Sequence, residues 1–214
     1  MTVLITGANR GIGQAILSRY EAMPTEALGT SRAGAPYLPL DVTAPESFKA
    51  LVQKLDGKPI DLLICNAGVY LDKGETLETG YGAGLWADSF AANVTGVFQT
   101  IQSLLPNLRA AGAAKVVIIS SQMASHTRAP GGSYIYRASK AAALNLGRNL
   151  ATDLRDDGIA VGIYHPGWVR TDMGGSEGDI SVDEAADGLI ARFDELSMET
   201  TGCFRTWDGK DHAY

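Results

Sequence analysis

The chain has 214 residues, 45% of them hydrophobic and 20% charged, and its formal net charge is −6 at pH 7. A domain of this size buries about 70% of its unfolded-chain surface, so it needs neither a disulfide scaffold nor a structural zinc site. Its only two cysteines, Cys65 and Cys203, are too few for either. The excess of acidic side chains argues against a general nucleic-acid-binding protein, because neutralising phosphates requires a surplus of Lys and Arg.

The first residues, 1–7, lack a basic segment and reach a glycine after a short apolar run. That pattern is typical of a buried strand rather than a signal peptide or a membrane-spanning helix. We therefore expect a soluble cytoplasmic protein that binds neither membrane nor nucleic acid.

Short apolar runs rich in β-branched residues alternate with longer amphipathic segments. The runs predict strands over residues 3–6, 27–31, 37–40, 61–65, 115–120, 160–164 and, with a weaker pattern, 203–207. The amphipathic segments predict helices over residues 12–20, 45–55, 85–109, 133–156 and 182–196. Strands that alternate with helices imply a parallel sheet wound by right-handed crossovers. We therefore predict an α/β fold, a doubly wound and mostly parallel sheet of about seven strands, in one domain over residues 1–214.

A glycine-rich segment follows the first predicted strand and opens the first predicted helix. It places Gly7, Gly11 and Gly13 in a Gly-x3-Gly-x-Gly pattern. At such a turn Gly7 would turn the chain, Gly11 would let the backbone approach a pyrophosphate, and Gly13 would let the helix pack against the strand. The helix N-terminus adds free N–H groups and partial positive charge. No Gly-Lys-Ser/Thr follows, so the segment predicts dinucleotide binding rather than a P-loop.

Further motifs follow in the order and spacing of a known family. They are Asp41-Val42, Asn66-Ala67-Gly68, Asn93, Ser120-Ser121, Tyr136-x3-Lys140, and Pro166-Gly167 followed by Thr171. With the glycine loop they cover residues 2 to about 172, and together they resemble the short-chain dehydrogenase/reductase family. Residues 165–175 and the short tail are similar to the C-factor or sniffer-type carbonyl reductase branch.

The resemblance implies a Rossmann fold that binds a nicotinamide cofactor. The implied cofactor-binding residues are Gly7, Asn9, Arg10, Gly11, Ile12, Gly13, Arg32, Asp41, Val42, Asn66, Ala67, Gly68, Tyr136, Lys140, Pro166, Gly167, Val169 and Thr171. NAD-selective sheets carry an acid about 20 residues after the glycine loop. Here the second strand ends in Arg32 without one, and Arg32 and Arg10 could pair with a 2′-phosphate. NADP(H) is therefore predicted over NAD(H), the alternative being two solvated surface arginines.

The same resemblance implies a catalytic set of Asn93, Ser121, Tyr136 and Lys140 for the interconversion of a carbonyl and an alcohol. Tyr136 and Lys140 lie four residues apart, so they share one helix face. Lys140 would hold the nicotinamide ribose. Lys140 and the positively charged oxidised nicotinamide would both lower the phenol pKa from its ordinary value of about 10. Ser121 would bind the carbonyl oxygen, and Asn93 would support Lys140 through an ordered water.

Two choices inside these motifs follow the family pattern. Ser121 is preferred to Ser120 because it is the second serine of the pair, and Tyr136 to Tyr134 because only Tyr136 has a lysine four residues on. The residues expected to face the substrate are Gln122, Met123, His126 and Trp168. Only about ten residues separate Thr171 from the next helix start, a capping-box pattern of Ser181 and Glu184. This predicts an open, permissive or partner-completed site.

Two other functional classes are compatible with parts of the sequence. One is a nucleotide-binding regulatory or signalling protein with little or no turnover, against which the complete catalytic set argues. The other is a small hydrolase, based on a Gly-x-Ser-x-Gly match at residues 174–178 that lacks the required strand and following helix. The three histidines are too scattered for a predicted metal site, and Cys65 reads as a core thiol. A homodimer or homotetramer that pairs through helices 85–109 and 133–156 is expected by resemblance.

Overall fold

The computed structural model describes residues 1–214 and contains a sheet of seven parallel strands. The strands are β1 (Thr2–Ile5), β2 (Glu26–Ser31), β3 (Leu38–Pro39), β4 (Leu62–Cys65), β5 (Lys115–Ile119), β6 (Ala160–His165) and β7 (Phe204–Thr206). Their order across the sheet is β3-β2-β1-β4-β5-β6-β7, and every neighbouring pair is parallel. This confirms the predicted α/β fold with a doubly wound parallel sheet.

Six α-helices cover the two faces of the sheet. They are α1 (Gly11–Glu21), α2 (Pro45–Leu55), α3 (Ala83–Phe90), α4 (Gly96–Ala111), α5 (Tyr134–Asp153) and α6 (Val182–Glu195). Alternate strand residues enter two separate cores: Leu63 and Val116 pack with the helices α2, α4 and α5, whereas Ile64 and Val117 pack with α1 and α6. Burial on both faces explains the unbroken apolar runs in β4 and β5. None of the helices is long and apolar enough to span a membrane.

The segment predicted as one helix over residues 85–109 is three elements, so that prediction is wrong. α3 and α4 are separated by a π-helical turn, Ala91–Thr95. Within this turn the Asn93 side chain bonds both backbone groups of Val69, accepting from its N–H at 2.8 Å and donating to its carbonyl at 2.9 Å. At the start of α4, a Cβ added to Gly96 would lie 2.7 Å from the Val42 carbonyl oxygen. The extra backbone residue of the π turn thus lets the chain pack against the loops that contain Val69 and Val42. The hydrophobic periodicity of the sequence does not indicate these contacts.

Helix α5 ends at Asp153, three residues before the predicted end. The chain turns there because Gly158 has a φ of +68° and the Ile159 N–H donates to the Leu154 carbonyl at 3.2 Å. The predicted capping box of α6 is present: the Ser181 side chain accepts from the Glu184 N–H and the Glu184 carboxylate accepts from the Ser181 N–H.

All the strands point their carboxyl ends to one edge of the sheet. The strand order reverses between β1 and β4, and a crevice forms outside the carboxyl ends of strands at such a point. The glycine loop follows β1, Asn66 follows β4, and Ser120 follows β5 at this edge. The topology therefore collects most of the motifs singled out in the sequence.

Candidate active site

A cavity of about 820 Å³ opens at the carboxyl edge of the sheet. The glycine loop lies at one side, residues from the ends of β2 and β3 lie at another, and Tyr136 and Lys140 of α5 line the wall beyond β4. Its volume is within the range of about 300–1,000 Å³ usual for small-molecule and cofactor sites.

The glycine loop leaves backbone exposed to this cavity. Gly7 and Gly11 have φ values of +66° and +55°, which side chains rarely adopt. A Cβ on Gly13 would lie 2.4 Å from both the Asn66 Nδ2 and the Gly7 carbonyl oxygen. The space at Gly13 thus admits the Asn66 amide, which donates to the carbonyls of Thr6 at 3.0 Å and Gly7 at 3.1 Å. The prediction was that Gly13 lets the helix pack against the strand; the structure shows that it makes room for the Asn66 side chain and the Gly7 carbonyl.

The N-terminus of α1 faces the same space and has no capping side chain and no acidic residue in its first turn. Its free N–H groups and dipole therefore remain available to an anion. A side chain at Gly7 or Gly11 would strain the backbone of the glycine loop, and a side chain at Gly13 would collide with Asn66 and Gly7. These residues fit the pyrophosphate of a dinucleotide.

Most of the predicted cofactor-binding residues line the cavity. They are Gly7, Asn9, Arg10, Gly11, Ile12, Gly13, Arg32, Asp41, Val42, Asn66, Ala67, Gly68, Tyr136, Lys140, Pro166 and Thr171. Gly167 and Val169 do not line it. A Cβ on Gly167 would lie 2.5 Å from the Ile180 side chain, and buried Val169 pairs with Ile180 in a β-bridge. In this structure both residues pack against Ile180, on the side of the loop after β6 that faces away from the cavity.

Charged groups surround the cavity mouth. Arg32 is exposed on the lining, and Arg10 donates to the Asp172 carboxylate at 3.1 Å. Asp172 also lines the cavity and was not among the predicted residues. Asp41 turns its carboxylate towards Thr43, whose N–H and hydroxyl donate to it at 2.9 and 2.7 Å. These bonds lower the pKa of Asp41 below its ordinary value.

Tyr136 and Lys140 are buried in the cavity wall, with exposures of 8% and 6%. The Lys140 Nζ donates to the Ile119 carbonyl at 3.0 Å and lies 5.6 Å from the Tyr136 ring centroid. Burial lowers the pKa of Lys140 to about 8. Burial also raises the pKa of Tyr136 to about 12, and a hydrogen bond with Ser121 acts in the opposite direction. Desolvation of the phenolate is the largest effect on this pKa in the protein alone. The lowering of the Tyr136 pKa by Lys140 together with the oxidised nicotinamide stays a prediction.

The two serines after β5 point in different directions. The Ser120 hydroxyl is buried and donates to the Lys140 carbonyl at 3.2 Å, which fixes α5 to the end of the strand. The Ser121 hydroxyl accepts from the Met123 N–H at 3.1 Å, and its proximity to the Tyr136 phenol acts to lower the phenol pKa. Tyr134 is 41% exposed, away from Lys140. Ser120 and Tyr136 line the cavity, whereas Ser121 and Tyr134 do not. The choice of Ser121 over Ser120 therefore stays a prediction.

Asn93 lies behind the cavity lining, beside Gly68. A Cβ added to Gly68 would lie 3.0 Å from the Asn93 Oδ1 and 3.4 Å from the Lys140 Nζ, so both side chains approach the same glycine. The Asn93 Nδ2 also donates to the Ser139 hydroxyl at 3.0 Å, and this hydroxyl donates to the Tyr136 carbonyl at 2.8 Å. Ser139 was not singled out in the sequence, although it stands inside the Tyr-x3-Lys motif.

The loop after Gly68 contributes two residues that the sequence did not indicate. The Tyr70 ring stacks on the Tyr136 ring with centroids 4.3 Å apart, and its hydroxyl lies 2.5 Å from the Ser133 hydroxyl. The buried Asp72 carboxylate accepts from the backbone N–H groups of Ile135 at 2.9 Å and Tyr136 at 3.2 Å. No periodicity or motif marks these residues, because their partners are more than 60 positions away.

None of the four predicted substrate residues lines the large cavity. Gln122 and Met123 lie in the 3₁₀ turn Gln122–Ala124 directly after Ser121, half-buried, and Gln122 bonds Arg128. His126 is exposed, and the Trp168 indole donates to the Gly174 carbonyl at 2.9 Å.

The structure also places the serine, cysteine and histidine side chains that were not predicted to be functional. Ser176 lies in a loop and donates to Glu177, without the strand and helix of a nucleophile elbow. Cys65 is buried, which raises the pKa of its thiol to about 12. His165 and His212, far apart in the sequence, bring their ring centroids within 6.0 Å. No group of three or more His, Cys, Asp or Glu side chains is placed to hold a metal ion.

Comparison with known proteins identifies relatives of the whole chain. A dehydrogenase from Rhodococcus sp. (strain AD45), 1-hydroxy-2-glutathionyl-2-methyl-3-butene dehydrogenase, is 35% identical over 225 aligned positions, which cover 97% of each protein. C-signal from Myxococcus xanthus is 33% identical over 165 positions, 72% of this chain and 92% of that protein. The structure of NADPH-bound carbonyl reductase from chicken fatty liver superimposes with a TM-score of 0.90 at 30% identity, covering 100% of this chain and 98% of that one.

These similarities confirm the resemblance to the C-factor and carbonyl reductase branch. The family model described as short chain dehydrogenase matches residues 1–180. The matched region includes the glycine loop, the Tyr136–Lys140 motif and the loop after β6. This chain belongs to the short-chain dehydrogenase family and is an oxidoreductase.

Proposed function

We propose that the protein is an NADP(H)-dependent reductase that interconverts a ketone or aldehyde with the corresponding alcohol. The observation that carries this proposal is the burial of Tyr136 and Lys140 side by side in the wall of the cavity that begins at the glycine loop. When bound, the nicotinamide cofactor supplies the hydride that reaches the carbonyl carbon. The chain itself must then hold the carbonyl and deliver a proton to its oxygen.

The proton donor in this proposal is the Tyr136 hydroxyl. A phenol, with an ordinary pKa of about 10, is protonated at neutral pH and can donate to the developing alkoxide. Burial raises the pKa of Tyr136 and so opposes the proton transfer, which makes a nearby positive charge necessary. The Ser121 hydroxyl, which lies close enough to Tyr136 to lower the phenol pKa, would hold the carbonyl oxygen beside the phenol. Lys140 would bind the nicotinamide ribose, and its positive charge would stabilise the tyrosinate left after proton transfer.

Asn93 has a supporting role in this scheme. Asn93 donates to the Ser139 hydroxyl, and both Asn93 and the Lys140 ammonium approach Gly68. We infer that a water molecule between Asn93 and Lys140 completes a path by which the proton on Tyr136 is replaced after each turnover. Gln122 and Met123 directly follow Ser121 in the chain. We retain them, with His126 and Trp168, as candidates for substrate contact.

The preference for NADP(H) is supported by Arg10 and Arg32 at the cavity mouth and by the absence of an acid at the end of β2. The test is a fluorescence titration of the purified protein with NADPH and with NADH, for wild type and Arg32→Ala. Loss of one charge-assisted bond to a 2′-phosphate should weaken NADPH binding about tenfold, or about 1.4 kcal/mol, and leave NADH binding unchanged. Equal binding of both cofactors by the wild type would show that Arg10 and Arg32 do not select NADP(H).

Asp172 competes with a 2′-phosphate for Arg10, since it already accepts from that guanidinium at 3.1 Å. Replacing Asp172 by Asn should therefore tighten NADPH binding severalfold and leave NADH binding unchanged, with the larger effect at low ionic strength. The matched control is Asp179→Asn, which removes an exposed carboxylate from the same loop. A gain for both cofactors alike would indicate a general charge effect instead of release of Arg10.

A screen of ketones and aldehydes with NADPH tests the activity itself. NADPH binding without turnover of any carbonyl would favour the regulatory or signalling alternative. The proposal also takes residues 1–214 as one cofactor-binding domain, located in the cytoplasm and paired into a homodimer or homotetramer through α4 and α5. Sedimentation of the purified protein tests the last point.

A further inference from the structure

The helix that carries Tyr136 has no capping residue of its own. Ser133, which precedes α5, has a φ of +49° and its side chain does not cap the helix. Its hydroxyl is paired with that of Tyr70, 2.5 Å away. The first N–H groups of a helix lack partners inside the helix, so those of Ile135 and Tyr136 need an acceptor from elsewhere.

Asp72 supplies that acceptor from the loop after β4. One oxygen accepts from the Ile135 N–H at 2.9 Å, and both accept from the Tyr136 N–H, at 3.2 and 3.3 Å. The residue is 1% exposed. A buried carboxylate is strongly destabilising unless it is well hydrogen-bonded, and the positive end of the α5 dipole is the favourable place for its charge. The Asp72 carboxylate therefore caps the first turn of α5, which begins with Tyr134 and contains Tyr136.

Tyr70 holds the side chain of the same residue. Its ring lies against the Tyr136 ring with an interplanar angle of 22° and a centroid distance of 4.3 Å. The bond from Tyr70 to Ser133 ties this ring to the start of α5. Residues 70 and 72 therefore fix the backbone and the ring of Tyr136 from one short loop.

We propose that Asp72 and Tyr70 are positioning residues for Tyr136: Asp72 caps α5 in place of a local N-cap, and Tyr70 braces the phenol ring against the cavity wall. The proposal rests on the proposed function of Tyr136 as proton donor. Neither residue lines the cavity, so both act through Tyr136. Their loss should lower kcat and leave cofactor binding at the glycine loop intact.

The experiment compares Asp72→Ala, Asp72→Asn and the control Glu78→Ala, which removes an exposed carboxylate from the same loop. Amide hydrogen exchange at residues 135–136, the Kd for NADPH and kcat for a carbonyl substrate are measured for each. Asp72→Ala should lose about tenfold in amide protection and about tenfold to hundredfold in kcat, with the Kd for NADPH within twofold. Asp72→Asn keeps an acceptor oxygen and should recover much of both, and Glu78→Ala should match wild type.

The outcomes separate the two parts of the proposal. Unchanged protection in Asp72→Ala would overturn the cap, and lost protection with unchanged kcat would overturn the positioning role. If Asp72→Ala does not fold, Asp72→Asn decides the cap through the same amides. A wild-type protein without any turnover overturns the proposed function, whereas the exchange data still decide the cap.

Tyr70 is tested by a pair of variants in the same assays. Tyr70→Phe keeps the stacked ring and loses the bond to Ser133, and Tyr70→Ala loses both. We expect kcat to follow the ring, with Tyr70→Phe within about threefold of wild type and Tyr70→Ala lower by about tenfold or more. Equal kcat values for wild type and Tyr70→Ala would show that the ring does not hold Tyr136.

Discussion

Replacing Tyr136 by Phe is expected to lower kcat for carbonyl reduction by about 10²- to 10⁴-fold, the usual contribution of a positioned general acid. The ring that stacks on Tyr70 is retained, and the N–H that bonds Asp72 is unaffected. The Kd for NADPH should therefore stay within about twofold, as measured by cofactor fluorescence. The loss should be in turnover and not in folding.

The control for this variant is Tyr134→Phe, which removes a phenol hydroxyl two residues away on an exposed side chain. It should reduce carbonyls at the wild-type rate. Turnover by Tyr136→Phe within tenfold of wild type would mean that another group donates the proton. In that case the Tyr136 hydroxyl would have no catalytic role.

Replacing Lys140 by Met should abolish turnover and, at the same time, stabilise the cofactor-free protein. The Lys140 ammonium is buried, and the lowering of its pKa from 10.5 to about 8 corresponds to about 3 kcal/mol of destabilisation by the charge at pH 7. Met has a similar length and no charge. Loss of the hydrogen bond to the Ile119 carbonyl offsets about 1 kcal/mol of the gain. Urea unfolding at pH 7 should show a net increase of about 1–2 kcal/mol.

The pH dependence of this difference gives the second measurement. Between pH 8 and 10.5 the unfolded state of wild type holds a proton on Lys140 that the folded state has released, so the stability of wild type rises with pH. Lys140→Met lacks this contribution. The advantage of the variant should therefore shrink as the pH approaches 10.5. A variant less stable than wild type at pH 7 would indicate that the ammonium is better solvated or paired than its burial implies.

The sequence was sufficient for the sheet and for the glycine loop because their signals are local. A strand covered on both faces needs consecutive apolar residues, as in β5, and the turn from β1 into α1 needs glycines at Gly7 and Gly11. The Tyr136–Lys140 pair is equally local, since a helix places residues four apart on one face. The structure shows in addition that these motifs line one cavity, which forms because the strand order reverses between β1 and β4.

What the sequence could not predict depends on contacts between distant segments. Asp72 and Tyr70 act on α5 across more than 60 positions, and neither stands in a periodic pattern. The burial of the Tyr136 phenol, which raises its pKa, could not be predicted either, because burial is a property of the fold. In the same way, the π turn at Asn93 looks like ordinary helix until Val69 is placed beside it.

That π turn sets a limit on changes in chain length. A π turn holds one more residue than the α-helical turn it replaces, so removal of one residue from Ala91–Thr95 would let α3 and α4 join as one regular helix. Such a deletion improves the backbone hydrogen bonding of the helix and rotates every preceding side chain by about 100° relative to α4. Asn93 would then leave Gly68 and Val69. The loops around this helix can therefore tolerate insertions and deletions, but the π turn cannot. A deletion there would make the helix more regular and would remove the contacts of Asn93 with Val69.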